Sequence, residues 1–342
     1  MEQIRAAYLV KQGKASEAFQ IKDTDKPILN EREVGIRVEA FGLNYADVMA
    51  RNGLYRESPP LPCVLGYEVV GKIENIGAEM DQNLIGKRVV AFTRFGGYAN
   101  YAVTADFGFT EVGDMKAGAA LSIATQYVTA YYMAEEAIRL FKGDRVLVHA
   151  GAGGVGTALI QLCKRKGCEV FATAGSTEKL EYMREQGADH VINYREEDYE
   201  DKIKSILGKE RLDVTFNPIA GTTFKKDFRL IGSAGRVLLF GGSERSGKNW
   251  GIFSTLNFVR KMGIIIPITT MMRSKAIIGV NMLKIGDNKP MILKRCMQNV
   301  AELIRTGELK PHVGGEYKVD QLGAAHDFLE SRKSIGKVVV KW

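Results

Sequence analysis

The chain has 342 residues, a length that predicts two domains or one domain inserted into another. Hydrophobic residues make up 45% of the chain and charged residues 26%, which excludes a disordered or low-complexity protein. The formal net charge is +8, but the Lys and Arg residues are spread along the whole chain. Nucleic acid is therefore not expected as the primary partner.

The cysteines and the apolar stretches indicate the compartment. Cys63, Cys163, Cys168 and Cys296 form no C-x-x-C pair, and the first ten residues lack the layout of a signal peptide. The most apolar late stretch, residues 262–270, is too short to span a bilayer. These features predict a cytoplasmic protein without a membrane span.

The pattern of predicted elements changes about a third of the way along the chain. Short strands separated by glycine turns are expected first, at residues 34–40, 69–76 and 87–92. A helical pattern runs from residue 122 to 139, and strands and helices alternate after it. The strands are predicted at 145–149, 169–173, 190–193, 214–217, 236–240 and 276–280, and the helices at 154–166, 178–186 and 199–207. This alternation predicts an α/β fold with a doubly wound parallel sheet.

The C-terminal part predicts an amphipathic helix, from about residue 288 to 305, and a closing strand at 335–340. That strand is expected to pair with the β-rich first domain. The α/β domain, residues 125–282, is therefore expected to be inserted into a domain made of residues 1–124 and 283–342.

The strongest motif is a glycine-rich turn between the strand at 145–149 and the helix that follows it. It matches G-x-G-x-x-G and indicates a site for the pyrophosphate of a dinucleotide. A plain glycine-rich turn is the alternative. The candidate residues are Gly151, Gly153, Gly154, Val155 and Gly156.

The next strand indicates which dinucleotide binds. An NAD site carries an acid about twenty residues after the turn, whereas this chain has Thr173-Ala174-Gly175-Ser176 there. Ser176 and Lys179 favour a 2′-phosphate and therefore NADPH, and Tyr194 could flank the same phosphate or the adenine. The alternative is that Lys179 is a surface lysine of its helix.

The four histidines give no metal signal. His149, His190, His312 and His326 form no H-x-x-H or Cys–His pair, so no zinc site is expected. His149 is predicted to be structural, and the other three are expected on the surface without partners.

Further short motifs lie at residues 42–47, 52–55, 65–68, 129–132, 187–189, 240–242 and 336–339. Together with the glycine-rich turn, they resemble the medium-chain dehydrogenase/reductase superfamily, in its zinc-free quinone oxidoreductase branch of the zeta-crystallin and vesicle amine transport protein type. The resemblance implies a GroES-like catalytic domain made of both chain ends and a Rossmann domain inserted between them. In zinc-dependent relatives, zinc ligands stand at or near the positions of Asn44, Tyr67 and Thr125.

By the same resemblance, Asn44 and Thr129 contact the nicotinamide or its ribose, and Phe240, Gly241 and Gly242 line the nicotinamide end. The segment ending at Asn281 lies where relatives have a dimer-forming edge strand beside the cofactor, so a homodimer is expected. Residues 243–273 form a stretch that is longer and more basic than in the shortest quinone reductases, and it contains Trp250, Phe253 and Phe258. They are expected to shape a substrate pocket or a dimer surface, or to form a packed helix pair.

The resulting hypothesis is an NADPH-dependent oxidoreductase that transfers a hydride to a quinone or a related conjugated enone without a metal. Asn44, Tyr55 and Tyr67 are the candidate catalytic donors to the substrate oxygen, with simple packing roles as the alternative. One rival is an alkenal or enoyl double-bond reductase. Another is a non-catalytic binding protein that NADPH regulates, for example one that binds RNA.

Overall fold

The computed structural model describes residues 2–245 and 251–342, and for residues 245 and 251–255 it describes the backbone alone. Trp250 and the side chain of Phe253 thus lie outside the described residues. The chain divides into two compact units, the first Met1–Thr129 with Met282–Trp342 and the second Ala130–Asn281. The domain limits expected from the sequence, after residues 124 and 282, fall close to these boundaries.

The N-terminal segment of the first unit is β-rich. Its strands are β1 Gln3–Leu9, β2 Phe19–Asp25, β3 Glu33–Leu43, β4 Cys63–Val64, β5 Glu68–Ile76, β6 Arg88–Phe92, β7 Tyr101–Ala105 and β8 Phe109–Glu111. Its helices are α1 Ala15–Ala18, α2 Tyr45–Arg51 and α3 Ala117–Ser122. Strands β2, β1 and β4 form a small antiparallel sheet of their own.

The helix predicted at 122–139 is more irregular than its periodicity indicates. Widened π-helical turns at Ile123–Tyr127 and Tyr132–Ala137 flank one regular α-helical turn, α4, at Val128–Tyr131. Apolar periodicity does not distinguish a π turn from an α turn, because both keep one side of the helix apolar.

The second unit alternates strands and helices around one parallel sheet. Its strands are β9 Arg145–Val148, β10 Glu169–Ala174, β11 His190–Asn193, β12 Leu212–Asn217, β13 Ile231–Leu239 and β14 Ala276–Gly279. The helices are α5 Gly154–Arg165, α6 Thr177–Glu185, α7 Tyr199–Leu207, α8 Thr222–Leu230, α9 Gly251–Met262 and α10 Pro267–Met272. The strand order is β11-β10-β9-β12-β13-β14, and all pairs are parallel. This is the Rossmann order, which creates a ligand-binding switch point where β9 meets β12.

The C-terminal segment completes the first unit with α11 Met282–Asn288, α12 Pro290–Arg305, β15 Val313–Lys318, α13 Leu322–Glu330 and β16 Lys337–Lys341. Strand β16 pairs antiparallel with β3, with Val338 opposite Leu43. The large sheet of this unit has the order β15-β16-β3-β5-β6-β8, and β7 adds to β3. The unit packs its core from Phe41, Leu65, Val69 and Val340, among others.

The surface position expected for His326 is wrong, whereas His190 stays partly exposed. His326 is fully buried in α13, where Nε2 lies 3.1 Å from the Tyr98 hydroxyl oxygen. His190 is half-buried, and its Nε2 lies 2.8 Å from Glu169 Oε1. The partners come from distant parts of the chain, so the local sequence did not reveal them. Among the described residues, no helix is both long enough and apolar enough to cross a bilayer.

Candidate functional site

The second unit carries the glycine-rich turn at the switch point of its sheet. Strand β9 ends at Val148, and α5 begins directly after Gly153. No described side chain caps this end of α5. The first N–H groups of the helix and the positive end of its dipole therefore suit an anion. The turn and the first helical residues contain all the candidate pyrophosphate residues: Gly151, Gly153, Gly154, Val155 and Gly156.

Packing restricts Gly156 and Gly151 more strongly than it restricts Gly153. A Cβ at Gly156 would collide with the carbonyl oxygen of Ala150 and would lie 2.7 Å from the Cα of Gly151. A Cβ at Gly151 would collide with Met183 Sδ. At Gly153 the nearest atom to an added Cβ is the carbonyl oxygen of Ala150, at 3.3 Å. Packing thus restricts Gly153 far less than Gly156, and its bare backbone suits a closely approaching pyrophosphate.

A buried polar network holds the strand ends beside this turn. His149 precedes the turn, and its Nε2 lies 2.9 Å from Oδ1 of the fully buried Asp227. The Tyr199 hydroxyl donates to the same oxygen at 2.9 Å, and Asn217 Nδ2 donates to Asp227 Oδ2 at 2.6 Å. His149 Nδ1 lies 3.2 Å from Thr173 Oγ1. The network thus joins the carboxyl ends of β9, β10 and β12, and it holds the residue from which the turn starts.

The carboxyl end of β10 carries no acid and lies against two polar side chains. A Cβ at Gly175 would lie 2.8 Å from Tyr194 Oη and 3.0 Å from Arg195 Nε. Ser176 stands directly before α6, and Lys179 lies in the first turn of that helix. Arg195 is a cation that no sequence motif singled out, although its place beside Tyr194 was the available signal. The group fits a phosphate better than the free hydroxyls of an NAD ribose.

The remaining candidates of this unit follow the carboxyl ends of β13 and β14; they are Phe240, Gly241, Gly242 and Asn281. The backbone N–H of Phe240 donates to Asn217 O at 3.2 Å. A Cβ at Gly241 would lie 2.6 Å from the carbonyl oxygen of Pro218, so glycine permits a close approach of two strand ends. The Phe258 ring comes within 3.6 Å of the position that a Cβ on Gly242 would take.

The first unit buries a charged cluster around Asn44. Lys337 and Glu68, both 0% exposed, form an ion pair. Asn44 Nδ2 donates to Glu68 Oε1 at 2.8 Å, and Lys337 Nζ donates to Asn44 Oδ1 at 3.1 Å. The Asn44 amide is therefore held at both ends, while its second amide hydrogen can serve another acceptor. A Cβ at Gly42 would lie 2.7 Å from Lys337 Nζ, so β3 needs glycine there to make room for the pair.

Asp47 adds a second carboxyl group to this cluster. Its Oδ2 accepts a hydrogen bond from the backbone N–H of Asn44 at 2.8 Å. Burial, helped by the nearby charge of Glu68, raises the pKa of Asp47 to about 7 against the opposing hydrogen bonds and the charge of Lys337. The buried ammonium group of Lys337 pairs with Glu68, and Asp47 keeps its proton below neutral pH. Neither Glu68, Lys337 nor Asp47 carried a sequence signal for this cluster.

Tyr67 and Tyr55 pack against each other in the first unit. Their rings lie edge to face, with centroids 6.3 Å apart, and the Phe95 ring centroid is 5.2 Å from that of Tyr67. The buried Tyr67 hydroxyl has no hydrogen-bond partner in the part of the chain that the structure describes. Burial raises the pKa of both tyrosines, so both hydroxyls stay protonated at neutral pH. The Tyr67 hydroxyl can therefore donate to a bound oxygen atom.

The π turn at Ile123–Tyr127 holds further orphaned polar atoms. Thr125 Oγ1 and Gln126 Oε1 are buried without a hydrogen-bond partner among the described residues. Thr129 Oγ1 donates to Thr125 O at 2.6 Å, which keeps its side chain against the turn. π turns recur at functional sites, and buried unpaired polar atoms are suited to a polar ligand. Gln126 is a candidate that the sequence reasoning missed.

Comparison with known proteins identifies the family. The zinc-binding dehydrogenase family matches residues 154–294, and the alcohol dehydrogenase GroES-like domain family matches residues 30–134. Quinone oxidoreductase of Homo sapiens is 32% identical over 323 residues, which cover 93% of this chain and 92% of that protein. The synaptic vesicle membrane protein VAT-1 homolog of Danio rerio is 31% identical over 318 residues. That match covers 92% of this chain, but the chain spans only 65% of that relative.

Solved structures give the same result. Escherichia coli quinone oxidoreductase complexed with NADPH superposes with a TM-score of 0.85 at 25% identity, covering 99% of this chain and 100% of that one. The Rossmann strand order and the matched families together define a medium-chain dehydrogenase/reductase. Within that superfamily, the chain belongs to the quinone oxidoreductase branch.

The zinc in the name of the matched family does not suit the residues of this chain. Protein zinc ligands are thiolates, imidazoles and carboxylates, whereas the positions in question hold Asn44, Tyr67 and Thr125. Asn44 is already bound to Lys337 and Glu68, and the raised pKa of Tyr67 opposes the deprotonation that a metal ligand needs. Among the residues whose side chains are described, no group of three or more His, Cys, Asp or Glu could hold a metal ion. Catalysis without zinc stays a prediction.

Replacing Asp47 by Asn should change how stability depends on pH. The folded state raises the pKa of Asp47 from 3.8 to about 7, so it binds the proton more tightly than the unfolded chain does. The free energy of unfolding of the wild type therefore falls as pH rises through this window, by up to about 1.4 kcal/mol per pH unit. Asp47→Asn mimics the protonated carboxyl group and should remove this slope. Denaturant unfolding at pH 5, 6, 7 and 8 measures it, with the exposed Asp23→Asn as control. Parallel curves for wild type and Asp47→Asn would show that Asp47 is ionised throughout.

Two alanine substitutions in the glycine-rich turn should affect different properties, one mainly the stability of the protein and the other mainly its affinity for NADPH. Gly156→Ala forces a clash with Ala150 and should lower the free energy of unfolding by about 1–3 kcal/mol. Gly153→Ala makes one tight contact, 3.3 Å to the carbonyl oxygen of Ala150, which a small shift relieves; it should change stability by less than about 1 kcal/mol, yet weaken NADPH binding by about tenfold or more. Urea unfolding and titration calorimetry with NADPH separate the two effects. Unchanged NADPH affinity in Gly153→Ala would mean that the pyrophosphate binds elsewhere.

Proposed function

We propose that this protein is an NADPH-dependent quinone oxidoreductase that transfers a hydride to a quinone or a related conjugated enone. The observation that carries the proposal is its similarity to human quinone oxidoreductase over nearly the whole of both chains. The bare glycine turn and the orphaned buried donors support it, because they suit a dinucleotide and an oxygen-bearing acceptor. The chain is an NADPH-dependent oxidoreductase, and the proposal adds a quinone as its acceptor.

The cofactor-binding residues divide by the part of NADPH that each would hold. The turn from Gly151 to Gly156 would hold the pyrophosphate at the start of α5. Ser176, Lys179, Tyr194 and Arg195 would hold the adenosine 2′-phosphate. The nicotinamide end would fall to Asn44, Thr129, Phe240, Gly241, Gly242 and Asn281. When bound, NADPH supplies the hydride.

The protein's own contribution to the chemistry is to bind and orient the acceptor and to stabilise charge on its oxygen. Tyr67 offers a protonated hydroxyl in buried surroundings, where a hydrogen bond is stronger than in water. Asn44 offers its second amide hydrogen, and the Lys337–Glu68 pair holds that amide in a fixed orientation. Tyr55 packs against Tyr67 and keeps its ring in place. A quinone needs little acid catalysis because its reduced form is stabilised, so donors of this kind suffice.

The expected homodimer and cytoplasmic location belong to the same proposal. Strand β14 lies at the edge of the six-stranded sheet and offers open backbone groups to a second copy. The four cysteines are buried and form no disulfide bond, which suits a reducing compartment.

Removing the cation in α6 should lower the preference for NADPH. Lys179→Ala should reduce kcat/KM for NADPH by about tenfold, the value of a lost charge-assisted hydrogen bond, and leave kcat/KM for NADH nearly unchanged. Arg195→Ala should also lower kcat/KM for NADPH. The exposed Lys209→Ala is the matched control and should change neither cofactor. If the wild type oxidises NADH as efficiently as NADPH, the assignment of the 2′-phosphate site is wrong.

Steady-state rates with a naphthoquinone and with an α,β-unsaturated aldehyde test the acceptor. The wild type should oxidise NADPH faster with the quinone, and Tyr67→Phe should lower kcat by about tenfold through loss of one hydrogen bond to the developing charge. Tyr317→Phe, a half-buried tyrosine of the same unit, is the control and should keep the wild-type rate. Turnover of the aldehyde alone would identify an alkenal reductase instead.

A further inference from the structure

The second unit exposes an apolar surface on residues 256–273, here called the apolar segment. Of the fifteen large hydrophobic side chains that are exposed among the described residues, eight lie in it. Ile264 is 93% exposed, Met272 is 77% exposed and Met271 is 67% exposed; the others are Leu256, Val259, Ile265, Ile266 and Ile268. Soluble monomers rarely cluster apolar side chains in this way unless the cluster is a contact surface.

The charge around the apolar segment has one sign. Between Glu244 and Asp287 the sequence contains no acidic residue and seven basic ones: Arg245, Lys248, Arg260, Lys261, Arg273, Lys275 and Lys284. Lys261 is neutralised by Glu244, with Nζ 2.5 Å from Oε1. Arg260 and Arg273 are exposed at the two ends of the row of isoleucines and methionines. The segment therefore combines exposed apolar side chains with positive charge.

A second copy of the chain fits this surface poorly. A two-fold symmetric contact places the same surface patch of both copies against each other. Arg260 and Arg273 would then face a patch that again carries basic residues, and the segment contributes no acid to compensate them. A dimer through the edge of β14 remains compatible with this argument, because that contact rests on backbone groups.

An anionic bilayer surface satisfies both features. Apolar side chains enter the boundary between headgroups and acyl chains, while basic side chains reach the lipid phosphates. The helices of the apolar segment are too short to cross the bilayer, since α10 has six residues and begins at Pro267. We propose that the apolar segment docks the protein onto the surface of a membrane that contains anionic lipids.

Sedimentation of the full-length protein with lipid vesicles tests this proposal. One vesicle preparation is phosphatidylcholine alone, and the other is phosphatidylcholine with phosphatidylglycerol in a three-to-one ratio, both at about 0.1 M salt. The wild type should bind the anionic vesicles and should bind the neutral ones much more weakly. Binding should also weaken as the salt concentration rises.

Two double variants separate the apolar and the charged contributions. Ile264→Ser with Met272→Ser should lower partitioning onto anionic vesicles by at least about tenfold, because both side chains lose their burial in lipid. Arg260→Gln with Arg273→Gln should lower it by about fivefold per arginine. The matched control is Ile28→Ser with Met291→Ser, two exposed apolar residues of the first unit, which should bind as the wild type does. All variants should keep the wild-type melting temperature and NADPH affinity, because the altered side chains are exposed.

Three results would overturn the proposal. The first is a wild type that binds neither vesicle. The second is equal binding by the wild type and the Ile264→Ser, Met272→Ser variant. The third combines an absence of vesicle binding with a difference in oligomeric state, measured by light scattering, between the wild type and that variant. In that case the apolar segment would be a contact between copies of the chain.

Discussion

The buried ion pair between Lys337 and Glu68 is the interaction on which the site of the first unit depends. Both groups are removed from water, so the pair persists only because Asn44 supplies further hydrogen bonds to each partner. Breaking such a pair by removing one partner typically costs about 3–5 kcal/mol. The pair joins β16 and β5 across β3, and it thereby fixes the last strand of the chain to the residues proposed for catalysis. Burial, together with the nearby charge of Glu68, explains why Asp47 keeps its proton below neutral pH.

The second unit uses backbone where the first uses side chains. The proposed pyrophosphate site is a bare turn at a helix N-terminus, kept in place by the hydrogen bonds of His149 and Asp227 to three strand ends. At the proposed adenosine end, the side chains of Lys179 and Arg195 come from different elements beside the end of β10. Binding any dinucleotide and choosing between NADPH and NADH are therefore separate properties of this unit.

The apolar segment connects the proposed activity with the place where it occurs. Quinones with long side chains dissolve in membranes, so an enzyme that acts on them gains from contact with the bilayer surface. The segment lies in the same unit as the cofactor turn, and Phe258 within it approaches Gly242 at the proposed nicotinamide end. One stretch of chain thus contributes both to the surface of the molecule and to the packing beside Gly242.

Local pattern in the sequence was enough to predict the order of strands and helices in the α/β part and the glycine turn, because periodicity and turn chemistry act over a few residues. It also indicated the absence of an acid near Ser176, which depends on residue identity at one position, whereas the replacement of zinc ligands at Asn44 and Tyr67 was implied by the family resemblance. Tertiary structure alone decided the pairing of Lys337 with Glu68, of His149 with Asp227 and of His326 with Tyr98. Each of these contacts joins residues far apart in the chain, and burial, which gives them their strength, exists only once both elements have packed.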